Sequence, residues 1–171
     1  MSALVETVIE AEGWAEALPD LAEAAETAAR LALEAEGRDP AAHEIALLAT
    51  DDAGIARLNA RFRGKDRPTN VLSFPAAAPP PPAPAPGAGP VVLGDIALAL
   101  GTVTREAEAA GRPLKDHAIH LILHGCLHLL GHDHGTEREA GRMEGIEIRA
   151  LASLGIPDPY CRGDAAPPHP D

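Results

Sequence analysis

Residues 44–63, EIALLATDDAGIARLNARFR, combine two patterns that indicate a strand followed directly by a helix. The run 45–49 is continuously apolar, which is typical of a strand buried on both faces. The acidic pair Asp51 and Asp52 comes next, and a carboxylate in that place caps the first turn of a helix. We therefore predict a buried strand over 44–50 and a helix, capped by Asp51 or Asp52, that runs to about Arg63.

The same alternation of strand-like and helix-like segments continues on both sides. Further strands are predicted at 4–9, 71–74 and 91–100, and helices at 14–36, 102–110, 114–130 and 136–154. Strands separated by helices, with no repeat and no linker between two cores, favour one mixed α/β (α+β) layer domain over residues 1–154. In it, about five helices pack on a small, mostly parallel or mixed sheet.

Two segments differ from this pattern in composition. Residues 75–90 contain only Pro, Ala and Gly, which cannot build a hydrogen-bonded ladder and tends to polyproline II. We predict an inserted surface loop there. Residues 155–171 are rich in proline and are predicted to form a flexible tail.

The composition excludes several classes of protein. Fourteen Lys and Arg against 26 Asp and Glu give a formal net charge of −12, which argues against nonspecific binding of nucleic acid, DNA included, over the whole surface. The N-terminal residues lack the pattern of a secretory signal, and prolines interrupt the one uncharged stretch long enough to span a membrane. Two cysteines, Cys126 and Cys161, do not make a disulfide framework. We expect a soluble cytoplasmic protein without membrane contacts.

Six of the eight histidines lie within eighteen residues of the predicted late helix and the turn after it, at His117, His120, His124, His128, His132 and His134. Residues four apart on a helix project from one face, so His124 and His128 can share a metal ion. Gly131 allows the chain to turn back and bring His134 in as a third ligand. Three neutral imidazoles with one open position are typical of a catalytic zinc site.

The segment 124–134, HGCLHLLGHDH, has the ligand and glycine spacing of the metzincin signature H-E-x-x-H-x-x-G-x-x-H. Metzincin proteases use the glutamate of that motif to take a proton from water, whereas this chain has Gly125, which has no side chain for acid or base chemistry. Peptide hydrolysis by that route is disfavoured. We interpret His117, His120 and His132 as packed or solvated side chains, and Cys126 as a small core residue.

A basic segment lies at the end of the helix predicted over 52–63. Five of the fourteen basic residues fall within eleven positions, at Arg57, Arg61, Arg63, Lys65 and Arg67. Guanidinium groups hold phosphate oxygens and stabilise charge that develops on a phosphoryl group, so arginines beside a metal suit phosphodiester chemistry. A solvated helix face is the alternative reading of the same residues.

Together, 58–75 (LNARFRGKDRPTNVLSFP), the later LGDI at 93–96 and the histidine segment closely resemble the YbeY family of bacterial endoribonucleases. The resemblance covers about residues 4–154. It implies that His124, His128 and His134 bind one Zn²⁺ per chain and that Arg63 is the arginine on which activity depends. Phe62 and His132 stand where the family often has tyrosine.

The resemblance also implies a function. The family acts as zinc-dependent, single-strand-specific endoribonucleases in ribosomal RNA maturation, notably at the 3′ end of 16S rRNA, and in ribosome quality control. The implied partners are single-stranded and ribosomal RNA, the small ribosomal subunit and its assembly factors.

Several alternatives stay open at the level of sequence. The attacking group is either a metal-activated water or the 2′-hydroxyl of the RNA, and neither Asp133 nor Glu137 stands out as a general base. A different class of function is a ribosome-assembly binding factor whose metal is mainly structural. A metal-dependent hydrolase of another substrate is less favoured because of Gly125. Three imidazoles also suit nickel, copper or iron.

Overall fold

A four-stranded mixed sheet in the strand order β1-β2-β4-β3 organises the computed structural model, which describes residues 4–77 and 79–160. The strands are β1 (Val5–Ile9), β2 (His43–Thr50), β3 (Val71–Pro75) and β4 (Val91–Ala99). The described residues also form six α-helices: α1 (Gly13–Ala17), α2 (Leu21–Ala35), α3 (Asp52–Arg63), α4 (Leu100–Ala109), α5 (Leu114–Leu129) and α6 (Glu137–Ser153). A short 3₁₀ turn, Pro40–Ala42, precedes β2.

The sheet contains both kinds of strand pairing. β1 and β4 flank β2 in parallel, with Leu47 of β2 opposite Thr7 of β1 and Ile96 of β4. β3 lies antiparallel to β4, with Ser73 opposite Ile96, and forms an edge of the sheet. The prediction of a small, mixed α/β sheet is confirmed.

The main core lies on the face of the sheet against which α2 and α5 pack. The buried stripe of α2 consists largely of alanines, five of which are at most 2% exposed: Ala24, Ala25, Ala28, Ala29 and Ala32. Small side chains allow the neighbouring helix backbone to approach closely, so a chain with few aromatic residues still fills its core. α5 is buried along almost its whole length. That burial fixes the helix on which the histidines lie.

On the opposite face, α3 covers only part of the sheet. Ile55 of α3 packs in a second apolar cluster with Leu72, Ala97 and Ala99. Away from α3, Val8 and Val92 are about half exposed, at 48% and 55%. The two faces therefore differ, and the histidine helix belongs to the well-covered one.

The single helix predicted over 14–36 is wrong, because the structure has two helices there, α1 and α2. Pro19 lacks a backbone N–H and disfavours the α conformation at the residue before it. Leu18 accordingly has φ −144° and ψ 79°, and the second helix starts at Leu21. The break lets Trp14 turn inward, where its Nε1 donates to the Thr50 carbonyl oxygen over 2.8 Å.

The predicted helix starts at 51–52 and 136 are confirmed by their caps. Asp51 Oδ1 accepts from the Gly54 amide over 2.7 Å, and Thr136 Oγ1 accepts from the Glu139 amide over 3.1 Å. α3 ends at Arg63 and is followed by Gly64, whose φ of 69° lies in the left-handed region that favours glycine.

The proline-rich segment joins two antiparallel neighbours, β3 and β4. Its first residue, Pro75, still belongs to β3, and its described remainder has no helix or strand. The ends of the segment are held together by the sheet, so its length costs little in closure entropy. Arg38 Nη1 donates to the Pro81 carbonyl oxygen over 2.7 Å and holds the segment against the domain.

The first part of the predicted flexible tail packs on the domain instead. Ile156 is 7% exposed, and Tyr160 hydrogen-bonds inside the molecule. The apolar Ile156 side chain and the fixed backbone of two prolines in this segment account for the difference. The rest of that prediction, and Cys161, lie outside the described residues.

Candidate metal centre

The last two turns of α5 place His124 and His128 side by side. Their ring centroids are 4.6 Å apart, and Nε2 of one lies 3.1 Å from Nε2 of the other. This follows from the four-residue spacing, which puts both side chains on one face of the helix. Two nitrogen ligands on one tetrahedral zinc ion are separated by about 3.3 Å, given Zn–N distances of about 2.05 Å.

His134 joins this pair from the loop that follows α5. Gly131 has φ 101°, a left-handed conformation that reverses the chain just after the helix. The His134 ring then lies 4.9 Å from the ring of His128 and 5.5 Å from that of His124. One potential ligand atom from each of the three side chains lies within 4.8 Å of the others. The structure thus brings together the three histidines that the sequence predicts as ligands.

The outer nitrogens of the two helical histidines have fixed acceptors. His124 Nδ1 donates to Glu147 Oε1 over 2.9 Å, and His128 Nδ1 donates to the His132 carbonyl oxygen over 2.9 Å. Each acceptor offers only lone pairs, so in the neutral rings the proton is on Nδ1 and Nε2 carries a lone pair. Burial, followed by the neighbouring imidazoles, lowers the pKa of His128 to about 4, which favours its neutral form.

Two nitrogen lone pairs that face each other at 3.1 Å repel unless a cation lies between them. The three imidazoles also form the donor set that borderline metals such as zinc prefer. The residues present therefore fit a divalent metal ion.

Glu147 is the residue of this centre that the sequence analysis missed. Its side chain is fully buried on α6, and its carboxylate accepts from His124, His120 and Tyr160. Burial alone raises the pKa of such a group, but the hydrogen bonds from His120 and His124 outweigh it and lower the pKa to about 2. A buried carboxylate is thus held as an anion against the outer nitrogen of His124, an arrangement that orients a metal-binding histidine and raises its basicity.

A signal for Glu147 exists in the sequence. The buried residues of α6 are Met143, Glu147, Ala150 and Leu151, at helical spacings of four, three and one. A glutamate on the apolar stripe of a helix needs a partner, because a buried charge is otherwise costly. Its partner is 23 positions away in sequence, so the stripe indicates a buried pair without showing which residue completes it.

Gly125 lies where α5 meets the sheet. A Cβ atom at this position would come within 3.1 Å of Ser73 Oγ and of Ile96 Cδ1, closer than ordinary van der Waals contact. Ser73 Oγ also donates to the Gly125 carbonyl oxygen over 3.3 Å. The close packing of α5 against β3 and β4 therefore favours glycine at this position over the glutamate of the metzincin motif.

Arg63 is the last residue of α3 and is exposed. The Phe62 ring packs on the Phe74 ring of β3, with centroids 5.3 Å apart, which ties this end of α3 to the edge strand. Asn59 Nδ2 donates to the Arg67 carbonyl oxygen over 2.9 Å and shapes the basic turn. Among the described residues the Arg63 side chain forms no hydrogen bond or ion pair, so its guanidinium is available to an anion. The structure records no contact between it and the three histidines.

The remaining histidines and Cys126 have other partners. His117 Nε2 lies 2.9 Å from Glu106 Oε1, and His132 pairs with Glu36. Cys126 is fully buried in the core, where burial raises the pKa of its thiol to about 12. The prediction that Cys126 is a core residue is confirmed. Asp133 is exposed, and its Oδ1 accepts from the His134 amide over 2.7 Å.

None of the helices in residues 4–77 and 79–160 has the length and apolar character that crossing a membrane requires.

Comparisons with known proteins show which family this chain resembles. The family model "Endoribonuclease YbeY" matches residues 9–155. A protein named endoribonuclease YbeY from Rhodopseudomonas palustris (strain ATCC BAA-98 / CGA009) is 51% identical over 162 residues, covering 93% of this chain and 82% of the relative. A protein of the same name from Ruegeria pomeroyi is 51% identical over 151 residues, covering 84% of this chain and 90% of the relative.

A solved structure shows the same fold. The solution structure of TM1509 from Thermotoga maritima matches with a TM-score of 0.53 at 21% identity, covering 88% of this chain and 91% of the other. The family model spans most of the chain, and the two relatives that are 51% identical to it cover 93% and 84% of its length. The chain belongs to the endoribonuclease YbeY family.

Proposed function

We propose that this protein is a single-strand-specific, zinc-dependent endoribonuclease that matures the 3′ end of 16S rRNA and takes part in ribosome quality control in the cytoplasm. The names of its relatives support ribonuclease activity. The observation that carries the metal dependence is the pair of Nε2 lone pairs of His124 and His128, which face each other at 3.1 Å with His134 beside them.

His124, His128 and His134 would hold one zinc ion. Bound there, it supplies Lewis-acid polarisation of a phosphate oxygen or activation of a water molecule. Three protein ligands leave one position of a tetrahedral ion open, which is typical of catalytic zinc and not of structural zinc.

The chain's own residues supply orientation and charge. Glu147 and the His132 carbonyl oxygen hold the two helical imidazoles with Nε2 inward. The Arg63 guanidinium binds phosphate oxygens of the RNA and stabilises the negative charge that develops during cleavage. A polar cavity of about 610 Å³, lined in part by Gly131, His132 and Asp133, leaves room for substrate beside the ligand loop.

The proposed partners are single-stranded and ribosomal RNA and, through them, the small ribosomal subunit and its assembly factors. An acidic chain of net charge −12 does not attract RNA over its whole surface. Binding instead depends on the local cations around Arg63 and at the metal centre, which suits recognition of an exposed single strand at a fixed place.

The experiment compares wild type with His128→Ala and, as a control, with His117→Ala, because His117 lies on the same helix, pairs with Glu106 and has no part in the proposed site. Zinc content is measured by mass spectrometry, and cleavage is measured on a single-stranded RNA that spans the 3′ end of 16S rRNA. We expect one zinc per chain and cleavage in wild type and in folded His117→Ala, and loss of both in folded His128→Ala. Zinc bound without cleavage above the His128→Ala background would favour an assembly factor with a structural metal.

A further inference from the structure

Residues 155–160 end beside the metal centre and place a tyrosine hydroxyl against Glu147. Tyr160 Oη donates to Glu147 Oε2 over 2.9 Å, while Glu147 Oε1 accepts from His124 Nδ1 over 2.9 Å and from His120 Nε2 over 3.1 Å. The two carboxylate oxygens therefore have different partners. Oε1 accepts from histidines of α5, and Oε2 accepts from the tyrosine of residues 155–160, here called the C-terminal segment.

Two hydrogen bonds tie the segment that carries Tyr160 to the rest of the molecule, and a third lies within the segment. The Ile156 amide donates to the Leu151 carbonyl oxygen over 3.0 Å, and the Tyr160 amide donates to Asp158 Oδ1 over 2.7 Å. Arg112 Nη2, from the turn before α5, donates to the Pro159 carbonyl oxygen over 2.8 Å. Tyr160 is thus brought to the carboxylate by a fixed backbone.

The hydroxyl acts on the direction of the Glu147 carboxylate. A fully buried carboxylate needs donors at both oxygens, and a side chain whose second oxygen loses its donor turns to find another. Any such turn moves Oε1 away from His124 Nδ1. The His124 ring then loses the contact that fixes its tautomer and its angle, which is how an outer partner alters the affinity of a metal ligand.

We propose that Tyr160 is a positioning residue of the metal centre, whose hydroxyl holds Glu147 in the orientation that directs His124 Nε2 at the metal. The inference rests on the proposed function in so far as that function includes a metal held by His124. It assigns a role to the C-terminal segment. The Tyr160 hydroxyl, and not the bulk of its ring, determines the effect on metal affinity.

The test compares Tyr160→Phe, which removes only the hydroxyl, with Ile156→Val, which trims the packing of the same segment without touching Glu147. Zinc affinity is measured by competition with a chromophoric chelator. The ¹⁵N and proton resonances of the His124 ring are recorded in the metal-free protein. We expect zinc affinity to fall about 10-fold in Tyr160→Phe, with a shifted His124 Nδ1–H resonance. In Ile156→Val we expect affinity within about twofold of wild type and an unmoved resonance, because the contacts of Glu147 are intact.

Three results would overturn the inference. Equal zinc affinity and an unmoved His124 resonance in Tyr160→Phe would show that the hydroxyl does not position the ligand, and would leave the proposed nuclease function untouched. An equal loss of affinity in Ile156→Val would assign the effect to packing of the segment. Wild type that binds no zinc would contradict the metal dependence in the proposed function itself, and the inference with it.

Discussion

Glu147→Gln keeps the shape of a buried side chain and removes its charge, so it measures what the carboxylate contributes to the metal centre. The wild-type side chain is fully buried and accepts hydrogen bonds from His124, His120 and Tyr160 at 2.9 to 3.1 Å. In the variant, the one amide oxygen can still accept from the histidines, but those bonds are no longer charge-assisted. The amide nitrogen takes the place of the other oxygen, so the Tyr160 hydroxyl has to reverse and accept.

The size of the effect follows from these three bonds. Loss of charge assistance costs about 1 kcal/mol per bond, or about 3 kcal/mol in all. An amide is cheaper to bury than a carboxylate, which offsets part of this sum, so we expect the free energy of unfolding of the metal-free protein to fall by about 2 kcal/mol. Zinc affinity should fall by about 10- to 100-fold, as for other outer partners of ligand histidines.

Urea denaturation of the metal-free protein measures the first quantity, and chelator competition measures the second. Glu108→Gln makes the same change of charge on an exposed residue of α4 and serves as the control. If Glu147→Gln matched Glu108→Gln in both stability and zinc affinity, the carboxylate would neither stabilise the fold nor orient His124.

Three further substitutions test separate parts of the structure. Arg63→Ala should lower RNA cleavage by about 100-fold or more while zinc content and melting temperature stay at wild-type values, as metal analysis and calorimetry would show; unchanged cleavage would remove Arg63 from the mechanism. Gly125→Glu should destabilise the protein by about 1–3 kcal/mol in urea denaturation and create no peptidase activity on casein, because its Cβ presses on the sheet. Burial on its own raises the pKa of Asp52, but hydrogen bonds from Arg105 and Thr102 outweigh it and lower the pKa. The stabilisation that the Asp52 carboxylate provides is therefore present above pH 3.8 and is lost as the pH falls below that value. Asp52→Asn should therefore lower the free energy of unfolding by about 1 kcal/mol at pH 7 and by less near pH 3, and an equal loss at both would contradict this assignment.

Features set by neighbours in sequence were predictable. Asp51 and Thr136 cap helices because a short polar side chain reaches an amide three residues on. The positions of His124 and His128 follow from helical periodicity, and the turn at Gly131 from the conformational freedom of glycine. The break at Pro19 also lies in this class, since proline lacks the amide that a continuous helix needs, although the helix predicted over 14–36 does not include this break.

Features set by distant parts of the chain were not predictable in the same way. The antiparallel pairing of β3 with β4 depends on the proline-rich connection between them. The composition of that connection does not indicate whether the two strands run parallel or antiparallel. Glu147 meets His124 only because α6 packs against α5, and Tyr160 reaches Glu147 only because residues 155–160 fold back. These contacts join residues that are 13 to 23 positions apart, and no periodicity within one element specifies them.

The proposed cleavage of RNA depends on one zinc ion held by His124, His128 and His134. The most direct test titrates zinc into metal-depleted protein and measures the rate at which a single-stranded RNA from the 3′ end of 16S rRNA is cut. We expect the rate to rise linearly to a break at one zinc per chain, and to stay at background at every zinc concentration in His128→Ala. Full cleavage by the metal-depleted protein, unchanged by added zinc, would contradict the account.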